Sequence, residues 1–275
     1  MYCLARDCAR DEVVRKFVEP ALELIILDKA LRGEFDREEA LLNLGEMYAT
    51  TLAGDGHVRR GLVEPAVGGE LGGGAAHLRL ATLHLLNQLL PEHLPEDSKP
   101  DGLKFGVRMY TVEGKYYIVA TGGDATKLNR LLAVSAPSAR GGYLSPKFIE
   151  FVKETRVEVQ HDKNSIRLTG RGRVAAGLTI SEVGIAVKFN VYLQENAIEL
   201  RFRSADRSRA ELAARLLRLA SVGAEMKKES GRDEWYVVAT TDRVAAGRKE
   251  PRDVLAEIVK ATRNDGWVDA DKAWR

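Results

Sequence analysis

A chain of 275 residues that is 45% hydrophobic and 30% charged carries enough apolar side chains for one large core or two smaller ones, which excludes disorder as its main state. Its apolar stretches, Leu22 to Leu27 and Leu83 to Leu90, are broken by Glu23, His84, Asn87 and Gln88 and fall short of the roughly 20 residues that span a bilayer. Cys3, Cys8 and five scattered histidines do not supply closely spaced zinc ligands, and a net charge of +2 leaves any nucleic-acid partner to be decided by where the charges sit.

From Asp11 to Gly33 apolar residues recur at helical spacing, with Pro20 interrupting the pattern and suited to the first turn of a second helix. Asp36 and Glu39 form a capping-box-like start for a helix carrying Leu41, Leu44 and Tyr48 on one face, ending at Gly54-Asp55-Gly56. His57 to Gly69 reads as a short hairpin. A long helix from Ala75 to Leu90 is apolar on nearly all sides and is expected to be buried, with His77 and His84 as core histidines. Phe105, Val107 and Met109 alternate as a strand, Glu113-Gly114 turns, Lys115 to Thr121 returns, and a helix starts at Asp124. Residues from Ser145 to Thr155 read as helix, and Arg156 to Thr169 as strand-rich.

The second half repeats this order. Strands at Ile185 to Leu193 and Ala197 to Arg203 precede a helix from Asp206 to Ala220, another hairpin, and a last helix near Arg252 to Ala261. Tyr117-Ile118-Val119-Ala120-Thr121 corresponds to Tyr236-Val237-Val238-Ala239-Thr240, which points to duplication. Residues 103–134 and 223–262 are therefore expected to match as hairpin plus helix about an approximate two-fold axis. The alternative is chance likeness of two hairpins of similar composition. The uncapped ending from Asp269 to Arg275 reads as a helix begun but not finished, so the native chain is expected to continue.

Gly45, Ala49 and Ala53 fall four residues apart and form a ridge of small side chains that lets two helices approach closely. Asp55 follows at the negative pole of that helix, where an anion is stabilised by a cation; the competing reading is an ordinary glycine C-cap with Asp55 as a turn former. On the later strands, alternation sets Lys188, Asn190, Tyr192, Arg201 and Arg203 opposite the core-facing residues. Such a face suits a DNA groove, cations meeting phosphates and amide or guanidinium groups meeting base edges. A solvated antiparallel face has the same alternation, and Glu199 in its middle favours that reading.

The segment Tyr48-Ala49-Thr50-Thr51-Leu52-Ala53-Gly54-Asp55-Gly56 resembles the motif of the LAGLIDADG homing endonucleases, in which two such helices cross and each ends in a metal-binding acid. Thr50 stands where that family prefers Gly, and Ala53 where it usually has the first Asp. In the second half the nearest counterpart is Ala175 to Val183, with Glu182 at the acid position; the preceding residues read as strand and turn, so Glu182 capping a hairpin is the competing reading. The resemblance implies an α+β fold of two pseudo-symmetric repeats on a ββαββα plan, antiparallel sheets packed by helices. It divides the chain into an N-terminal helical segment (1–35), a first repeat (36–140), a connector (141–174) and a second, more degenerate repeat (175–275). It further implies a monomer bound to double-stranded DNA, with Asp55 and Glu182 as catalytic acids holding Mg²⁺ if the chain is active, and cleavage weak or absent. The alternative is a non-enzymatic interaction protein.

A second resemblance covers most of the chain from Lys104 onward. Arg130 to Ser138, Leu212 to Ala220 and Asn264 to Asp269 are similar to the paralogous-repeat (PaREP) proteins of hyperthermophilic crenarchaea, a family that implies no activity. With ten charged-interspersed N-terminal residues lacking a signal-peptide core, the expected location is cytoplasmic, without a membrane partner.

Overall fold

The computed structural model describes residues 12–54, 57–58, 65–69, 73–89, 107–120, 122–135, 138–139, 142–143, 147–170, 173–194, 197–229, 231 and 233–264. Contacts divide the chain into two units, Met1–Thr155 with Val183–Ile185, and Arg156–Glu182 with Ala186–Arg275. The fold is α+β, its sheets antiparallel and packed by helices. No helix among the described residues is long and apolar enough to cross a membrane.

The first unit runs α1 (Glu12–Leu31), α2 (Arg37–Gly54), β1 (His57–Val58), β2 (Pro65–Gly69), α3 (Gly73–Leu89), β3 (Val107–Val112), β4 (Lys115–Ala120), α4 (Gly122–Ser135), β5 (Ser138–Ala139), β6 (Gly142–Tyr143) and α5 (Lys147–Glu154). Helix α1 continues through Pro20 and does not break there. A proline in a helix interior forfeits one backbone hydrogen bond, and the apolar spacing on both sides outweighs that loss. Asp36 caps α2 as expected, its Oδ1 accepting from the Glu39 backbone N at 2.7 Å. The side chain of Arg37 reaches the other way: its guanidinium donates to the Leu89 carbonyl, Nε at 2.7 Å, satisfying an acceptor that the end of α3 leaves without a helical partner. Helix α1 packs on α3, α2 on α4, and α4 on α5. Their shared core includes Leu27, Leu41, Tyr48, Leu86, Leu131 and Phe151, all at most 1% exposed. Helix α3 is buried along Thr82, Leu83, Leu86 and Leu89, but His77 is exposed and is no core histidine; the His84 side chain lies outside the described residues.

The small-residue ridge of α2 is used inside this unit. A methyl group on Gly45 would stand 2.3 Å from Ser135 Oγ, 2.7 Å from Ser135 Cβ and 3.1 Å from Leu131 Cγ, so α2 and α4 touch where only glycine fits.

The second unit runs β7 (Glu158–Leu168), β8 (Val174–Glu182), β9 (Ile185–Gln194), β10 (Ala197–Ser204), α6 (Arg207–Leu219), β11 (Glu225–Lys228), β12 (Trp235–Thr240), α7 (Thr241–Ala245) and α8 (Lys249–Asn264). Asp206 is the N-cap of α6, accepting from the Ser208 backbone N at 2.8 Å. Helix α6 lies against β8, β10, β11 and β12, and α8 against β7. The core between helix and sheet holds Leu178, Phe189, Val191, Leu200, Leu216 and Val237, all fully buried.

Strand order is β1-β2-β4-β3 in the first sheet and β11-β12-β10-β9-β8-β7 in the second. Leaving aside β7 and β8, both sheets place two hairpins so that their second strands are neighbours at the centre. The registers agree too. Ile118 pairs with Met109 and Val67, and Val237 with Met226 and Phe202. Glu113 and Gly114 turn the first of these hairpins with successive positive φ values of 50° and 76°, the backbone that a two-residue hairpin loop favours. The same device joins β8 to β9 through Val183 and Gly184, at 47° and 84°.

Candidate nucleic-acid interface

Antiparallel partners share a sheet face, so the register decides which candidate side chains meet. Asn190 lies opposite Arg201, and Tyr192 opposite Glu199. Arg203 lies opposite Tyr236 on the next strand, and Lys188, Asn190 and Tyr192 alternate with buried Val187, Phe189 and Val191. The five residues read from the sequence therefore occupy one polar face of the second unit's sheet. Strand β7 adds Asp162, which pairs with Gly177 of β8 on the same face.

Every one of these cations has an anion or a polar acceptor beside it. Lys188 lies across Gly177, where a methyl group would stand 2.9 Å from its Cε, and sets its ammonium 3.4 Å from Asp162 Oδ2. Arg167 donates to Asn190 Oδ1 at 2.9 Å. Arg201 sits 5.6 Å over the Tyr192 ring, with Nη2 2.6 Å from Glu199 Oε1, and its Nε is buried without a hydrogen bond. Arg203 reaches Glu229 at 3.5 Å. At the β11 edge Glu225 is bonded by both Lys227 and Arg243; those two hydrogen bonds hold its carboxyl below the usual range, and the Lys227 ammonium is correspondingly raised. Arg201 and Glu199 are the most sheltered pair, with side chains 29% and 18% exposed, whereas Lys188 is 62% exposed. Sequence alternation located the cations and Glu199 but not the other two acids, because Asp162 and Glu229 come from 26 residues away in each case.

The two candidate metal acids are placed differently. Asp55 lies outside the described residues, just past the last residue of α2. Glu182 ends strand β8, not a helix, because Ala175 to Glu182 fold as extended backbone. Alternation puts Glu182 on the core side with Leu178 and Ile180, away from the polar face. Only 1% exposed, it accepts the backbone N–H of Arg156 at 2.7 Å, closing the start of β7 against the end of β8. Among the described residues no three His, Cys, Asp or Glu side chains converge as a metal site would require.

No family model matches the chain, and no curated protein matches it; the resemblance to the paralogous-repeat proteins finds no support there. Among solved structures the chain is similar to a LAGLIDADG homing endonuclease, in a structure described as I-DmoI in complex with DNA and Mn. The likeness covers 74% of this chain and 94% of that one, at 12% identity and a TM-score of 0.19. Similarity of that size carries no argument about this chain.

Proposed function

We propose that this chain binds duplex DNA through the polar face of its six-stranded sheet, as a monomer built from two LAGLIDADG-like repeats, and that it cleaves DNA feebly or not at all. The observation that carries the reading is the gathering of Lys188, Asn190, Tyr192, Arg201 and Arg203 on one face, from residues chosen by alternation alone. The matching strand orders β1-β2-β4-β3 and β9-β10-β12-β11 support the two repeats. Hairpin β7–β8 stands in the second where α2 stands in the first.

That exchange bears on catalysis. Metal-assisted phosphodiester cleavage commonly pairs cations held by carboxylates. Glu182 is committed to the Arg156 backbone, which leaves Asp55 as the one candidate acid for Mg²⁺ and the pair incomplete. Duplex binding at low salt should fall steeply as salt rises, and Arg201→Ala should weaken it and lessen the salt slope by about one unit. Absence of duplex binding at low salt overturns the proposal. Mg²⁺-dependent nicking should be at most weak in the parent and in Asp55→Asn; robust double-strand cleavage that Asp55→Asn abolishes would show a working enzyme.

A second reading, an interaction protein that uses the same face for a protein partner, is favoured by the acids set against the cations. A pre-neutralised face attracts a polyanion weakly and suits a partner of mixed charge.

A further inference from the structure

On the core side of the second unit's sheet, where β10 begins and α7 and α8 pass over it, lies a groove of about 660 Å³. Its floor is apolar: Ile198, Val244, Leu255, Ala256 and Val259 line it. Its rim is basic, formed by Arg252, Lys260 and Arg263 of α8. All three are exposed, and none has an ion pair or side-chain hydrogen bond among the described residues. Helix α8 segregates its charges. At about 100° per residue the three cations fall within roughly 80° of the helix circumference, beside the groove, and Glu250, Asp253 and Glu257 fall on the adjoining arc. Asp253 is engaged there by Lys249 at 3.4 Å. The buried stripe of Leu255, Ile258 and Thr262 covers the remaining side.

We infer that this groove docks an acidic amphipathic helix of a protein partner. The three cations are spread over about 16 Å of helix axis, from eleven residues at roughly 1.5 Å each, more than one carboxylate headgroup engages. A helix whose apolar stripe is flanked by acids at successive turns lays the stripe on the floor and sets one flank of acids against the row of charge on α8, the mode in which an apolar helix face lies in a groove. The exposed, unpaired cations contrast with the compensated cations of the polar sheet face, so this surface keeps its charge for an anion. The inference is independent of DNA binding, since groove and polar face lie on opposite sides of the sheet.

The test uses the full chain and a fluorescein-labelled 16-residue synthetic helix with leucines on one stripe and glutamates flanking it, compared with the same peptide carrying lysines. Fluorescence anisotropy should show the acidic peptide binding at least tenfold more tightly. The exposed triple variant Arg252→Glu, Lys260→Glu, Arg263→Glu should reverse that preference, and Ala256→Trp, which fills the floor and leaves the charges, should weaken the acidic peptide by a similar factor. Equal binding of the two peptides, or of the acidic peptide to parent and triple variant, overturns the inference. So does displacement of the peptide by dodecanoate, which would mark a small-amphiphile site, or direct binding of a labelled 20-bp duplex that the triple variant loses, which would make the groove part of a nucleic-acid surface.

Discussion

Replacing Gly45 with alanine tests the packing of α2 on α4 with one methyl group. That group would stand 2.7 Å from Ser135 Cβ and 2.3 Å from its Oγ, whereas carbon atoms in good contact are about 3.5–4.0 Å apart. Rotation of the serine removes the oxygen clash but leaves the Cβ contact, so the helices must separate by about 1 Å at that point. Leu131 and Ser135 are 0% and 3% exposed, so nothing nearby yields into solvent. Overpacking of this kind costs about 1–3 kcal/mol, and the gain from alanine over glycine in a helix interior offsets about 1 kcal/mol of it. The expected net loss is therefore up to about 2 kcal/mol. Hydrogen exchange of α2 and α4 backbone amides across a urea series reads this locally, without assuming that the whole chain unfolds in one step. Ser135→Gly in the same chain should recover part of the loss, giving a coupling of about 1 kcal/mol in the double-mutant cycle. Strict additivity of Gly45→Ala with Ser135→Gly would refute the close approach.

Two further outcomes follow from single side chains. Asp206→Ala removes the acceptor of the Ser208 N–H and should cost about 0.5–2 kcal/mol, with Asp206→Asn close to the parent in chemical denaturation. His161 faces the core side opposite Leu178, its Nε2 buried without a partner. Burial lowers its pKa from 6.5, against opposing contributions from Asp162 and Glu257. Because the folded state disfavours the charged ring, the unfolded chain binds the extra proton first, so stability is fully present above pH 6.5 and is lost as pH falls toward the folded value. Denaturation midpoints at pH 7.5 and 5.5 should differ in that sense, and His161→Gln should shrink the difference; an unchanged pH dependence would remove His161 as its source.

Much of the fold is legible because local chemistry and tertiary packing agree. Asp36, Asp206 and the Glu113-Gly114 turn act where their residue types direct them, and the alternation around Phe189 and Leu200 assigns both faces of β9 and β10. Where the signals conflict, the sequence underdetermines the result. Ala175-Ala176-Gly177 has neither bulk nor β-branching to separate helix from strand, and the neighbouring strands of the sheet settle it as extended. Val183 occupies positive φ at 47°, a conformation that a β-branched residue discourages, so nothing local announces the turn. Pro20 marks a helix start by rule and sits within a helix in fact. For the candidate site, the side of the sheet was readable but the compensation was not: the distant acids beside Lys188 and Arg203 belong to strands and loops whose register only folding fixes.

The register shift in β7 between Asp162 and Arg167 has a consequence for the free edge of the larger sheet. An outer strand of eleven residues is a long row of backbone donors and acceptors, the kind of template on which a further copy of a chain can assemble. Here the row is broken. The irregularity throws the ladder out of step midway, and Asp162, Lys163 and Asn164, all exposed, occupy the break. An incoming strand would meet two short, misaligned segments with charges between them. At the other sheet the outermost strand β1 has only two residues, His57–Val58, too few to template growth. Each sheet thus limits its own extension at one margin, the first by brevity and the second by a bulge.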